Sequence, residues 1–147
     1  MARTVLVVYH SMGGNTAAAA EIVAEGIRSV AGADAVVKTA AEAGPSDLLA
    51  CDGVCFGSPD YFSYMAGMLK DFFDRTFYPT QGQVDDKPCA IFITHGGGGS
   101  ASTSVEKICR SFRFKQVGQT LLVRGKPDDA ARTKLRDLGA LLAKTVL

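Results

Sequence analysis

No Cys-x-x-Cys pair and no neighbouring pair of histidines occurs in these 147 residues, so neither a thioredoxin-like dithiol nor a zinc site is indicated. Cys51, Cys55, Cys89 and Cys109 read as structural thiols. Two of them, Cys55 and Cys89, fall inside predicted buried strands, where free cysteine behaves as a small hydrophobe, and reducing conditions fit. Charge of one sign is lacking too. Sixteen basic against fifteen acidic side chains leave +1, which excludes the basic surface of a nucleic-acid binder. No apolar run approaches the ~18 residues of a membrane span, and no basic segment, apolar stretch and cleavage site stand in sequence at the start. These absences predict a soluble, cytoplasmic protein without membrane insertion. Two nucleotide signatures are also missing: no Gly-Lys-Ser/Thr of a Walker loop, and no Gly-x-Gly-x-x-Gly to make a nicotinamide dinucleotide the first ligand to propose. There is no tryptophan.

What is present is a strand-to-helix junction suited to an anion. Val5 to Tyr9 are nearly all apolar and mostly β-branched, the pattern of a parallel strand covered on both faces, and strong helix formers begin at Ala17. Between them lie Ser11, Gly13, Gly14, Asn15 and Thr16. Glycines let the backbone approach an anion closely, successive amides converge on its oxygens, and the helix end adds partial positive charge. The same residues also satisfy an ordinary turn with Asn15 or Thr16 as N-cap.

Along the rest of the chain strand and helix patterns alternate. Ala19, Ile22, Val23, Gly26, Ile27 and Val30 share one helical face, and Gly32 stops that helix. A short strand is expected at Asp34 to Thr39, a turn or short helix at Asp47 to Asp52, and a buried strand at Gly53 to Gly57. Met65, Met68, Leu69, Phe72, Phe73 and Thr76 predict an amphipathic helix, with Tyr78 to Lys87 as loop. Pro88 to Thr94 reads as the fourth strand and Ser102 to Phe112 as a helix capped by Ser102 or Thr103. Val117 to Val123 reads as a fifth strand, and Pro127 as the first position of a closing helix. At this length and 47% hydrophobic content, one domain over residues 1–147 is expected. The alternation predicts an α/β three-layer sandwich on a five-stranded parallel sheet of order 2-1-3-4-5. In such sheets ligands bind at the carboxyl ends of the strands, where strand order reverses; the general rule names flavodoxin as an example. The unusual loops sit there: Ser11 to Thr16, Ser58 to Tyr64 and Thr94 to Ser100.

With these three loops in view, the chain resembles the flavodoxin-like family of FMN-binding redox proteins. Tyr9-His-Ser-Met-Gly-Gly-Asn-Thr16 is similar to the family's phosphate loop, and Gly57-Ser-Pro-Asp-Tyr-Phe62 with the helix after it is similar to the second flavin loop. The resemblance implies that Ser11, Met12, Gly13, Gly14, Asn15 and Thr16 wrap the FMN phosphate, with His10 at its border or serving only as a spacer. It implies that Pro59, Asp60, Tyr61 and Phe62 edge the isoalloxazine, with Tyr61 or Phe62 stacked on one face, worth about 0.5 to 1.5 kcal/mol beyond area burial. Thr94, His95, Gly96, Gly97 and Gly98 would offer backbone donors to the pyrimidine edge, where negative charge develops on reduction. The His95 side chain either raises the flavin potential when protonated or simply faces solvent.

Three functions fit this resemblance. In the first, the protein carries electrons through its flavin to a redox partner protein. Typical flavodoxins are strongly acidic, place an aromatic residue in the third loop and often carry a tryptophan by the ring; this chain is near neutral, has glycines there and no tryptophan. One flavin face is then open, as an NAD(P)H-dependent oxidoreductase acting on a quinone or flavin needs. The Gly-rich third loop and Gly57-Ser-Pro59 resemble the tryptophan-repressor-binding-protein type of quinone reductase, although the extra segment and the histidine after the fourth-strand helix are missing. A regulatory flavoprotein is the third. No acid, base or nucleophile is assigned in the protein, because the flavin would supply the reactive atoms.

Overall fold

The computed structural model describes residues 2–147. In chain order it contains β1 (Arg3–Tyr9), α1 (Asn15–Arg28), β2 (Ala33–Thr39), α2 (Pro45–Ala50), β3 (Gly53–Tyr61), β4 (Tyr64–Met65), α3 (Gly67–Thr80), β5 (Pro88–His95), α4 (Ala101–Ser111), β6 (Lys115–Gln116), β7 (Leu121–Arg124) and α5 (Asp129–Val146). The strands β2, β1, β3 and β5 lie side by side in that order and all pair parallel; β6 and β7 both pair parallel with the outer edge of β5. This is the 2-1-3-4-5 topology read from the sequence, with more strands than the five expected.

Strand alternation divides the core in two. Leu6, Val8, Val54, Phe56, Ile91 and Ile93 face α3 and α4, where Phe72, Phe73, Phe112 and Phe114 complete an aromatic cluster around Phe56. On the other face, Val5, Val7, Cys55, Ala90 and Phe92 pack under α1 and α5. Period-two alternation in strands whose residues are apolar on both faces explains why they read as continuous hydrophobic runs. All four cysteines are buried and unpaired. Burial pushes the Cys51 thiol up to about 11, and burial likewise raises that of Cys55.

Several expectations need correction. The expected fifth strand, Val117 to Val123, is two short strands: the pairing register on β5 shifts by two residues between β6 and β7, and Gly118 turns the chain at φ 68°. The Thr120 hydroxyl closes this bulge, accepting from Gln116 Nε2 (3.0 Å) and donating to Glu106. Strand β3 does not end at Gly57 but runs on through Pro59 to Tyr61, and Phe62-Ser63 forms a two-residue turn into β4. Both turn residues have positive φ (57° and 63°), the conformation of a hairpin turn that favours Asn and Gly. Met65 belongs to β4, and α3 continues through Pro79 to Thr80 rather than stopping before Tyr78. Proline in the last turn removes one backbone donor; nearby, buried Thr76 and Thr80 donate their hydroxyls to Phe72 O and Thr76 O (both 2.8 Å).

Helix starts also differ. Neither Asn15 nor Thr16 caps α1, whose N-cap is Gly14 with no side-chain bond. Pro127 precedes rather than opens α5, because Asp128 is the N-cap and its carboxylate accepts from Ala131 N–H (2.8 Å). Neither Ser102 nor Thr103 caps α4; its Ala101 N–H donates to Asp60 Oδ2 (3.3 Å), a cap supplied by β3.

Candidate functional site

The cleft at the carboxyl ends of β1, β3 and β5 has a volume of about 260 Å³. Its first wall comes from the loop between β1 and α1. Gly14 N–H donates to Ser11 Oγ (3.1 Å), which fixes the loop's curvature and leaves the Ser11 hydroxyl proton free to donate outward. Gly14 takes φ 103°, a conformation that only glycine adopts without strain. A Cβ added at Gly13 or Gly14 would meet nothing within 4 Å, so the space in front of the loop is open. The start of α1 has no side-chain cap, and its first-turn N–H groups have no intrahelical partner.

Strand β3 and its hairpin make the second wall. Pro59, Asp60 and Tyr61 line the cleft. The Asp60 carboxylate is engaged at both oxygens, accepting from Ser63 N–H (2.9 Å) and Ala101 N–H (3.3 Å), and so ties the hairpin to α4. Ser58 and Ser104 add further ties: Ser58 Oγ accepts from Ala66 N–H (2.9 Å) and Ser104 Oγ from Met65 N–H (3.1 Å). Tyr61 meets the His10 ring edge-on, with ring centroids 6.3 Å apart, which joins the first and second walls.

Thr94, His95 and Gly96 form the third wall. Buried Thr16 and Thr94, 78 residues apart, share a hydrogen bond of 2.7 Å between their hydroxyls, which locks α1 to the end of β5. Gly125 N–H donates to His95 O (2.9 Å), and Gly125 also lines the cleft.

Of the residues nominated from the sequence, the cleft brings together Ser11, Met12, Gly13, Asn15, Thr16, Pro59, Asp60, Tyr61, Thr94, His95 and Gly96. Gly14 shapes the first loop without lining the cleft. Phe62 stands outside at the hairpin tip, 102% exposed, while Tyr61 is half-buried inside. Gly97 and Gly98 are exposed beyond Gly96, so no side chain covers this rim. His95 is half-buried, with Nδ1 shielded. Gly125 was missed in the sequence; its only signal there is its position directly after the last strand.

The donor set suits a flavin mononucleotide. Hydroxyls, an amide side chain, unpaired helix N–H groups and an open glycine cradle answer a phosphate dianion without a Lys or Arg, and none lines the cleft. The half-buried Tyr61, which lines the cleft, offers an aromatic face for a planar ring. Among the described residues no cluster of three His, Cys, Asp or Glu side chains is placed to hold a metal ion, and no helix is long and apolar enough to cross a membrane.

Comparison with known proteins gives concordant likenesses. The sequence model of the family described as NADPH-dependent FMN reductase matches residues 35–128. A flavodoxin of Aquifex aeolicus (strain VF5) is 34% identical over 139 residues, spanning 95% of this chain and 74% of that protein. An NAD(P)H dehydrogenase (quinone) of Acidithiobacillus ferrooxidans is 34% identical over 148 residues, spanning 84% of this chain and 70% of that protein. Among solved structures, a flavodoxin from the domain Archaea superimposes with a TM-score of 0.90 at 26% identity, covering 97% of this chain and 98% of that one. Oxidised Flavodoxin 1 from Bacillus cereus superimposes with a TM-score of 0.84 at 22% identity, covering 96% and 97% of the two chains, a likeness of fold.

Proposed function

We infer that this chain, which belongs to the flavodoxin-like family of FMN-binding redox proteins, holds its FMN in the cleft at the carboxyl ends of β1, β3 and β5 and exchanges electrons there with small molecules. The observation that carries the second half is the bare third rim: Gly96, Gly97 and Gly98 are exposed and place no side chain over the cleft. A hydride donor such as NAD(P)H and a planar acceptor such as a quinone both need to approach a flavin face closely, and this rim leaves room for them.

The chain's own residues bind and orient. Ser11, Asn15 and the first-turn N–H groups of α1 hold the phosphate end; the α1 dipole and amides neutralise it where no cationic side chain lines the cleft. Pro59, Asp60 and Tyr61 edge the ring system, with Tyr61 as the stacking residue. Backbone groups of Thr94 to Gly98 meet the opposite edge. The bound flavin supplies the redox chemistry, accepting a hydride or electrons from a donor and passing them on. No protein acid, base or nucleophile is needed, and the only acidic side chain lining the cleft, Asp60, is occupied in fixing the hairpin.

A second reading, an electron carrier serving a protein partner in the cytoplasm, is favoured by one observation. Phe62, fully exposed at the hairpin tip, stands outside the cleft as an apolar contact that small-molecule binding does not use, and Met12 on the first wall is 80% exposed. Mixing the flavin-loaded protein with NAD(P)H separates the two. Prompt bleaching of the flavin absorption, with turnover when a quinone is added, is the expected result; bleaching only through an added reductase protein establishes the carrier, and resistance to both removes each reading.

The assignment of Tyr61 has its own check. Tyr61→Ala is expected to weaken FMN binding about three- to tenfold, from a lost stacking contribution of about 0.5 to 1.5 kcal/mol, and to shift the midpoint potential. Phe62→Ala, outside the cleft, should leave both unchanged. Potentiometry and fluorescence titration giving the reverse order would reassign the stacking ring.

A further inference from the structure

Two cations stand without an acidic partner just beyond the third wall of the cleft. Arg124 and Lys134 are both exposed, and no ion pair among the described residues includes either of them. They meet at one place. With Leu122, Asp128 and Ala131 they line a hollow of about 220 Å³ between the end of β7 and the first turns of α5. Its one carboxylate, Asp128, is engaged as the helix cap, accepting from Ala131 N–H (2.8 Å), so two cations against one carboxylate leave a surplus of positive charge.

The hollow adjoins the cleft. Gly125, directly after Arg124, lines the cleft, and a Cβ there would meet nothing within 4 Å, so the space above it is open. Leu122 and Arg124, two residues apart, share a face of β7, and Leu122 packs beside Gly99, where a Cβ would come within 3.1 Å of Leu122 Cδ1. Arg124 therefore springs from the strand face that carries the glycine loop, beside His95, its register partner on β5.

FMN has no call on these cations, because its phosphate is assigned to the first loop and no Lys or Arg lines the cleft. A hollow of about 220 Å³ is also smaller than the about 300–1,000 Å³ of a pocket that takes a whole small molecule, so it suits one group of a ligand whose remainder lies in the cleft. A nicotinamide dinucleotide is divided in this way: its nicotinamide ring has to reach the flavin face, while its phosphates stay outside. We propose that Arg124 and Lys134 form an anion site that holds phosphate groups of a nicotinamide dinucleotide as its ring enters over the Gly96–Gly98 rim. This rests on the reading that the cleft holds FMN and takes hydride from such a donor. The planar fork of the Arg124 guanidinium suits phosphate oxygens two at a time, and Lys134 adds a mobile point charge.

Calorimetric titration of the flavin-loaded, full-length chain with NADP⁺ and with NAD⁺ tests this, since it reads binding without turnover. Arg124→Gln and Lys134→Gln are each expected to weaken NADP⁺ binding about three- to fivefold, and together about tenfold, the upper range of exposed charge pairs. FMN affinity and melting temperature should stay unchanged, because both side chains are exposed and unpaired. An equal loss with NAD⁺ assigns the site to the diphosphate; a loss confined to NADP⁺ assigns it to the 2′-phosphate. Added salt should weaken binding to the unaltered chain more steeply than to the double variant. Unaltered affinity for both dinucleotides in the double variant, or a parallel loss of FMN affinity, overturns the site while leaving the hydride-donor reading standing. An unaltered chain that takes up FMN but binds neither dinucleotide overturns both.

Discussion

Alanine at Gly139 is expected to lower the melting temperature by roughly 5–10 °C. On α5, Gly139 faces α1 so closely that its Cβ would fall well inside contact with the carbonyl oxygen of Val23, and within 3.1 Å of Ile27 N. Gly26 on α1 is placed likewise, against the carbonyl oxygen of Arg136. The obstacles are backbone atoms of a helix, which cannot swing aside as a side-chain end can. Alanine is favoured over glycine in a helix interior by about 1 kcal/mol, which opposes the effect. Overpacking a tight contact costs about 1–3 kcal/mol and more where the backbone must separate, so the steric term wins. Gly67→Ala is the matching control, since a Cβ there meets nothing within 4 Å. Thermal denaturation showing Gly139→Ala as stable as Gly67→Ala would mean that α1 and α5 do not pack this closely.

The largest expected effect on binding is at Asn15. Asn15→Asp sets a carboxylate at the mouth of the first loop, where the phosphate of FMN is proposed to sit, and should weaken FMN affinity more than tenfold, or about 1.4 kcal/mol. The comparison of magnitudes is favourable. A helix N-terminus stabilises a negative charge by about 0.3–1 kcal/mol, whereas two unit charges 4 Å apart near a protein surface repel by about 4 kcal/mol, and the phosphate carries nearly two. Added salt should shrink the difference between Asn15→Asp and the unaltered chain, because this term is screened in an open cleft. Asn15→Ser, which keeps a neutral donor, should remain near the original affinity. Equal affinities for Asp and Asn in titration would move the phosphate out of this loop.

The sheet order and three cleft walls were legible because each depends on local patterns. Val5 to Tyr9, Gly53 to Gly57 and Pro88 to Thr94 are apolar runs too short for helices, and each is followed by small or polar residues. What stayed hidden depends on partners far away in sequence. The third strand was expected to end at Gly57, yet β3 continues because Pro59 aligns with Thr94 on β5 and its missing donor falls at the sheet's end. Phe62-Ser63 carries no Asn or Gly to announce a turn. The cap of α4 was sought in Ser102 and Thr103 but comes from Asp60, about 40 residues earlier, and the Thr16–Thr94 hydroxyl pair spans 78 residues. Gly125 enters the cleft through its backbone, which no side-chain pattern reveals.

The broken outer strand has a consequence for how the molecule behaves in a crowd. An unpaired strand edge is a template on which another chain can add, and long flat edges are where sheet proteins stick to one another. Here that margin is two fragments, Lys115–Gln116 and Leu121–Arg124, offset by a kink at Gly118 and flanked by cationic side chains. Straightening the kink by deleting two residues would lengthen the ladder, and would also turn a blunt margin into an adhesive one.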